Sequence, residues 1–250
     1  ADPESGQTIV SGMGELHLEI IVDRLRREFA VEVGVGRPRV AYRESICAVV
    51  EQEGRFIRPG SECGLYAQVL LRLEPLPRGS GVVIESVISG DAVSAECIQA
   101  AVRGVREEMS RGVNAGFPIV DAKVTILEGA CQEIAAGAIS FQMAAARAFR
   151  EGCAKAGSKL LEPIMNISVV TPDQFIGVIT GDLHRRRGGL RGTEESARGK
   201  VIRADVPLAE MFGYSTRLRS MSQGRATYSM EFSRYADVPP HVAASVMSKD

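Results

Sequence analysis

The stretch "GDLHRRRGGLRG" sets three consecutive arginines, Arg185, Arg186 and Arg187, directly after His184, with Arg191 close behind. Arginine carries a permanent charge on a planar fork of donors that matches the oxygens of a phosphate or carboxylate. The chemistry on offer is anion recognition. The cluster also ends a helical pattern, and cations there complement the helix dipole for about 0.3–1 kcal/mol each. Neighbours in sequence cannot share one helix face, so the three splay around the last turn. Phosphate contact on one side, and capping with local ion pairs on the other, both fit these residues.

The remaining reactive side chains are scattered. His17, His184 and His241 lie far apart, whereas a metal needs several convergent ligands. His17, set between apolar residues of a helical segment, reads as a packed or interface histidine. The five cysteines, Cys47, Cys63, Cys97, Cys131 and Cys153, are widely spaced with no C-x-x-C. That argues against a disulfide framework or zinc knuckle, and for reduced thiols in a cytosol-type compartment. Cys131 is the best candidate nucleophile, yet no histidine stands in its local sequence to activate it. There is no phosphate-loop motif, no H-E-x-x-H and no G-x-S-x-G. Asn166-Ile167-Ser168 matches a glycosylation acceptor but falls in a predicted strand, as a chance match does. No catalytic centre is recognisable.

Apolar residues make up 45% of the 250 and charged residues 24%, the balance of a soluble globular chain with one large domain or two to three small ones. Lys and Arg total 30 against 31 Asp and Glu, so the protein does not coat nucleic acid by charge alone, though a local basic face is allowed. With no tryptophan and 5% aromatics it lacks a base-stacking platform. No apolar run approaches the ~20 residues that span a bilayer. The N-terminal "ADPESGQT" lacks signal-peptide features and begins abruptly, close to a strand, as expected of a fragment.

The elements that carry the cluster follow from periodicity. Residues 14–29 put Leu18, Ile21, Val22, Leu25 and Phe29 on one helical stripe. "GQTIVSGM" before it and "VEVGVGRPRVAYRESI" after it predict strand–helix–strand, half of a βαββαβ domain without partners for its sheet. The next block predicts strands at "GLYAQVLLRLEPL" and "GVVIESVI", joined by the turn-forming "PRGSG". A helix follows with Ile98, Ala101, Val102, Val105 and Met109 on one face, then the alternating strand "PIVDAKVTILEG". Another helix aligns Phe141, Ala145, Ala148, Phe149 and Cys153 and stops at Gly157. From residue 162, the strand "PIMNISVV" precedes a helix opened by Pro172, with Phe175, Ile179 and Leu183 inward. "GGLRGTEESA" and "KVIRADVP" predict strands around a turn at Arg198-Gly199, "LAEMFGYSTRLRSM" a helix, and "RATYSMEFSRYA" a strand. That βαββαβ order over residues 163–235 is the ferredoxin-like pattern. "PPHVAASVMSKD" predicts a short docked helix or a frayed end.

"SGMGELHLEI", "AFREG", "LLEPIM", "GDLHRRRG" and "VPLAEMFGYSTRLRSMSQGRATYSMEF", in this order and spacing, resemble the C-terminal half of elongation factor G or a close paralogue, across essentially the whole chain. The resemblance implies a multidomain α+β architecture. Residues 1–38 would be the C-terminal half of domain III, a partial ferredoxin-like fold. Residues 39–159 would be domain IV, like domain 2 of ribosomal protein S5. Residues 160–235 would be a ferredoxin-like βαββαβ domain V, and 236–250 a C-terminal tail. GTP and magnesium would belong to a domain upstream, so this chain holds no cofactor and is not itself an enzyme, while the full-length protein is a translational GTPase. The implied partners are the ribosome (large-subunit rRNA near the sarcin–ricin loop, factor-binding proteins and the small-subunit decoding region), tRNA and mRNA. The implied protein is cytoplasmic and monomeric, touches no membrane, and promotes tRNA/mRNA translocation by recognising shape and phosphates.

The family inserts the end of domain IV into the decoding region. One tip loop usually reads G-G-x-I-P-x-E-Y-I. Here "SGDAVSAECI" keeps Gly90, Glu96 and Ile98, with Asp91 following Gly90, but sets Ser94 at the proline and Cys97 at the tyrosine. The other usually reads D-G-S-Y-H-x-V-D-S-S. Here "EGACQEIAAG" keeps Gly129 and Glu133, puts Gln132 at the histidine, and replaces Asp-Ser-Ser by Ala135, Ala136 and Gly137. A third segment, usually S-G-G-R-G-Q-Y-G-H-V, is "GSECGLYAQV", with Cys63 at the arginine and Gln68 at the histidine. These changes remove polar and basic groups, although Gln132 still donates and accepts.

The candidate RNA- or ribosome-binding residues are therefore Gly90, Asp91, Ser94, Glu96, Gly129, Gln132 and Glu133 at the tip, and Arg185, Arg186, Arg187 and Arg225 in domain V. The altered tip fits drift in a working translocase, or a paralogue specialised for ribosome recycling or protection. "LEPLPRGSGV" also resembles a segment of tetracycline ribosome-protection proteins. A purely protein-binding module would use the same surfaces.

Overall fold

The stripe predicted over residues 14–29 forms helix α1 (Glu15–Arg27) in a computed structural model that describes residues 8, 10, 15–36, 40–57, 66–88, 93–131, 134–196 and 199–247. Leu18, Ile21, Val22 and Leu25 are half-buried, and Phe29, past the helix end, is 64% exposed. Residues 31–36, predicted as a strand, are coil. A strand needs a ladder to pair with, and the described residues supply none. The strand predicted before α1 lies mostly outside the described residues. The chain divides into two compact units, Ala1–Ala41 with Glu162–Arg234, and Tyr42–Leu161 with Tyr235–Asp250.

The second unit holds β1 (Arg43–Ile46), β2 (Val50–Ile57), β3 (Tyr66–Pro75), β4 (Val82–Ser86), α2 (Ala95–Arg111), β5 (Ala122–Cys131) and α3 (Ile134–Ala156). Its sheet runs β2-β3-β5-β4, antiparallel except for the parallel pair β4–β5. Parallel neighbours need a crossover, and α2 supplies it. The turn at residues 77–81 forms, but the strands it joins do not pair, because β5 lies between them. Asp121, in the left-handed region at φ 54°, explains this. Its Oδ1 accepts the N–H groups of Gly79 and Gly81 at 3.0 and 3.1 Å, and its carbonyl accepts that of Leu76 at 2.8 Å. The turn is thereby seated at the start of β5.

One face of this sheet is buried under α2 and α3. Ala67, Val69, Leu71 and Leu73 of β3 alternate inward to meet Val124 and Ile126 of β5, Ala101 and Val105 of α2, and Phe141, Ala145, Ala148, Phe149 and Cys153 of α3. Burying each large side chain stabilises by roughly 1.5–3 kcal/mol. The apolar alternation of β2 is broken because Gln52 and Gly54 stand between the inward Val50 and Phe56. A Cβ on Gly54 would stand 2.7 Å from that of Ala148, so the strand lies directly on the helix backbone. This is the architecture of ribosomal protein S5 domain 2.

β6 (Ser158–Thr171) pairs its first four residues with β1. Its remainder enters the other unit with α4 (Ile176–Arg185), β7 (Gly189–Ser196), β8 (Gly199–Pro207), α5 (Tyr214–Met221) and β9 (Thr227–Asp237). The sheet order is β9-β6-β8-β7, the order of a ferredoxin-like βαββαβ fold. Pro172 precedes a 3₁₀ turn, Asp173–Phe175, that leads into α4. Phe175, Ile179 and Leu183 pack on Ile167, Val169, Ile202, Ala204 and Val206 with Tyr214 and Leu218 of α5.

The single helix predicted over residues 208–221 is two pieces, a 3₁₀ turn at Leu208–Glu210 and α5. Gly213 separates them at φ 73°, which an α-helix does not admit. The tail forms α6 (Pro240–Met247), with no buried residue, after the buried Val238 bonds the Leu160 carbonyl at 2.9 Å. No helix among the described residues is long and apolar enough to cross a membrane.

Candidate functional site

The arginine cluster sits where α4 ends, and the backbone there decides which way each side chain goes. The Gly188 N–H bonds the Leu183 carbonyl at 2.8 Å and the Arg187 N–H bonds that of His184 at 3.0 Å, which is a Schellman termination. This motif needs a left-handed residue, normally glycine, and Arg187 fills it at φ 61°. An arginine there costs about 1 kcal/mol of strain. The turn persists because the side chain it aims inward is held tightly.

Arg187 Nη1 and Nη2 donate to Oε1 and Oε2 of Glu162 at 2.7 and 2.8 Å, and its Nε donates to Glu210 at 3.1 Å. Glu162 is 3% exposed. Hydrogen bonding to Glu162 raises the Arg187 pKa above its ordinary value, despite burial. Arg186 Nε donates to the buried Asp182 at 2.8 Å, one Nη donates to the Glu210 carbonyl, and its guanidinium lies 5.1 Å from the Tyr214 ring centroid. Burial pushes the Tyr214 hydroxyl up, and its oxygen has no partner among the described residues. Two of the three arginines thus tie the end of α4 to β6 and to the segment before α5. Arg185 is exposed, with no side-chain partner among the described residues.

His184 at the end of α4, Arg217 and Arg219 of α5, and Arg225 in the segment between α5 and β9 are exposed as well. Arg217 reaches Asp182 only at 3.5 Å and is 50% exposed, while Arg219 and Arg225 have no side-chain partner among the described residues. Arg217 and Arg219 were missed by sequence reasoning. Their signal was the pair of cations in "STRLRS", which helical periodicity turns outward on either side of the buried Leu218. Such a set can bind phosphate oxygens by charge and hydrogen bonding. It contains no nucleophile–base pair, and the described residues hold no group of three or more potential metal ligands.

At the other candidate surface, Gly90, Asp91, Gln132 and Glu133 lie outside the described residues. Ser94 is the N-cap of α2, its Oγ accepting the Cys97 N–H at 3.3 Å. Glu96 is exposed in the first turn, where the helix dipole favours a carboxylate. Gly129 is a packing residue, since a Cβ there would stand 2.8 Å from the Phe141 ring. The segment read as a loop over residues 128–137 is mostly regular, with β5 running to Cys131 and α3 starting at Ile134. Because β4 and β5 are parallel, α2 starts at the end of the sheet where β5 finishes.

Residues 1–37 match the family model described as elongation factor G, domain III; residues 38–157 match elongation factor G, domain IV; and residues 159–246 match the elongation factor G C-terminus. The crystal structure of ttk003000868 from Thermus thermophilus is similar, with a TM-score of 0.88 and 36% identity over 99% of this chain. The chain spans 37% of that protein's length.

Proposed function

The chain belongs to the elongation factor G family of translation, and on that premise we propose that it is the ribosome-docking portion of a cytoplasmic, monomeric GTPase that promotes tRNA/mRNA translocation. GTP and magnesium chemistry would reside in a domain outside this chain. The single observation that carries the docking reading is the exposed cation set of α4, α5 and the segment that follows α5, Arg185, Arg219 and Arg225 with His184, left free among the described residues while Arg186 and Arg187 are paired internally. Large-subunit rRNA is the partner that such a set fits, through phosphates and shape. The tip of the S5-like domain would meet the decoding region, tRNA and mRNA through Gly90, Asp91, Ser94, Glu96, Gly129, Gln132 and Glu133.

A second reading, a paralogue specialised for ribosome recycling or protection, is favoured by the tip. Ser94 caps a helix, Gly129 packs, and the exposed side chains there include the carboxylates Glu96 and Glu128. Like charges repel RNA phosphates.

The test uses the full-length protein from the same source with GTP on pre-translocation ribosomes, following mRNA movement by toeprinting beside a Gln132→His variant. Prompt movement supports the translocase. Ribosome binding without movement, restored by Gln132→His, supports the specialised paralogue. In parallel, replacing Arg185, Arg219 and Arg225 by Gln weakens ribosome binding and lowers its salt slope by about one per lost phosphate contact. Unchanged binding would remove these arginines from the interface.

A further inference from the structure

The sheet face opposite α4 and α5 carries a second arginine arrangement, unlike the first. Arg191 Nη2 and Arg234 Nη1 both donate to the same oxygen of Asp205, Oδ2, each at 2.7 Å. Asp205 is 13% exposed, whereas each arginine is 50% exposed. One carboxylate oxygen thus gathers two guanidinium groups and leaves most of their donors facing solvent. Arg191 occupies the bulge between Leu190 and Gly192, which turns its side chain out of the strand's alternation toward Asp205.

The floor beside this pair is open. Gly189 is the cross-strand partner of Asp205, and a Cβ placed on it would meet nothing within 4 Å. Gly189 has no left-handed φ, so conformation does not demand glycine there. On the other side Asp205 faces Asn166 of β6. Two half-exposed guanidinium groups, fixed by a shared carboxylate beside an empty glycine position, make a clamp for one planar oxyanion.

We propose that Arg191 and Arg234 form a carboxylate-binding clamp on this sheet face, which docks an acidic loop of a protein partner rather than RNA. Charge balance selects the partner. The same face pairs Arg203 with Glu194 at 3.0 Å. Three arginines set among the carboxylates of Asp205 and Glu194 leave one net positive charge, too little to follow a phosphate track, where every neutralised phosphate needs its cation. The central strands β6 and β8 present Asn166, Ser168, Val170, Val201, Arg203 and Asp205 outward, with no aromatic ring for base stacking. A single clamp among alternating charges fits a protein loop carrying one or two carboxylates.

The test titrates the chain with fluorescein-labelled decaglutamate peptide, and separately with labelled ten-nucleotide oligouridylate, by fluorescence anisotropy. Gly189→Leu fills the open floor without touching an arginine, and the Arg191→Gln/Arg234→Gln double variant removes the clamp. Each weakens decaglutamate binding by about tenfold or more, whereas Arg147→Gln, on the exposed side of α3, leaves it within about twofold. Amide shifts on peptide addition fall at residues 189–192, 203–205 and 234. Gly189→Leu decides the matter by itself if the double variant, which strips Asp205 of its partners, unfolds. Peptide affinity unchanged by Gly189→Leu overturns the clamp. Oligouridylate binding with the same dependence on Gly189 overturns the protein partner and assigns the face to RNA.

Discussion

Arg187 and Glu162, 25 residues apart, close a two-pronged salt bridge at 2.7 and 2.8 Å, while Arg185, two positions before, is exposed with no side-chain partner among the described residues. Adjacent arginines in one motif therefore do different jobs. Removing Arg187 leaves a nearly buried carboxylate unpaired. Arg187→Ala is expected to destabilise the ferredoxin-like unit by about 3 kcal/mol, against about 0.5 kcal/mol or less for Arg185→Ala. Urea denaturation of both variants checks this, and equal losses would mean the bridge is not what holds the turn.

A buried carboxylate also shapes the loop that enters β5. Glu44 is 1% exposed and accepts the backbone N–H groups of Asn114, Ala115 and Phe117 at 3.1, 2.8 and 3.2 Å. Glu44→Ala takes the acceptor from three half-exposed donors, and about 1–3 kcal/mol of stability is expected to go with it. Hydrogen exchange at residues 114–117 should accelerate well beyond the change at α3. A uniform change across the unit would contradict a local role.

Two aspartates set the response to acid. Burial acts to raise the Asp205 carboxyl, but hydrogen bonds and charge from Arg191 and Arg234 outweigh it, and the net shift is downward. Asp237 is likewise lowered, with Arg78 and Lys159 outweighing burial. A folded value below the unfolded ~3.9 contributes stability above that pH and loses it as pH falls through the folded value. Melting temperatures should therefore fall more shallowly below about pH 4 in Asp205→Asn than in the unaltered chain. Parallel curves would exclude the linkage.

The thiols differ sharply in reach. Burial, then the nearby charge of Glu44, pushes Cys153 up to about 12, whereas Cys47 is exposed. Iodoacetamide at pH 8 should modify Cys47 at least about 100-fold faster than Cys153, as read by peptide mass spectrometry. Urea should erase the difference. Comparable labelling of both thiols in the folded chain would show that the α3 face opens readily.

Much of the architecture was legible from local pattern. The stripe from Phe141 to Cys153, the opening at Pro172 and the βαββαβ order depend on residue spacing and turn chemistry within a few positions, and each formed. β2 escaped because two of its inward positions, between Val50 and Phe56, are Gln52 and Gly54, and Gly54 is set by the closeness of α3 and not by apolarity. The pairing of β4 with β5 escaped for the same kind of reason. Asp121 captures the turn at Gly79 and Gly81 from about 40 residues away, and no local pattern records that capture.

By itself the sequence determined the family, the helical faces and the presence of an arginine cluster, because those are properties of residue order. Only the tertiary structure decided which arginines remain available. Arg186 and Arg187 find Asp182, Glu162 and Glu210 within reach once α4 ends against β6, while Arg191 and Arg234 meet only when β7 and β9 flank the strands that carry Asn166 and Asp205. A charge's partner is set by distance in space, and folding, not chain order, fixes that distance.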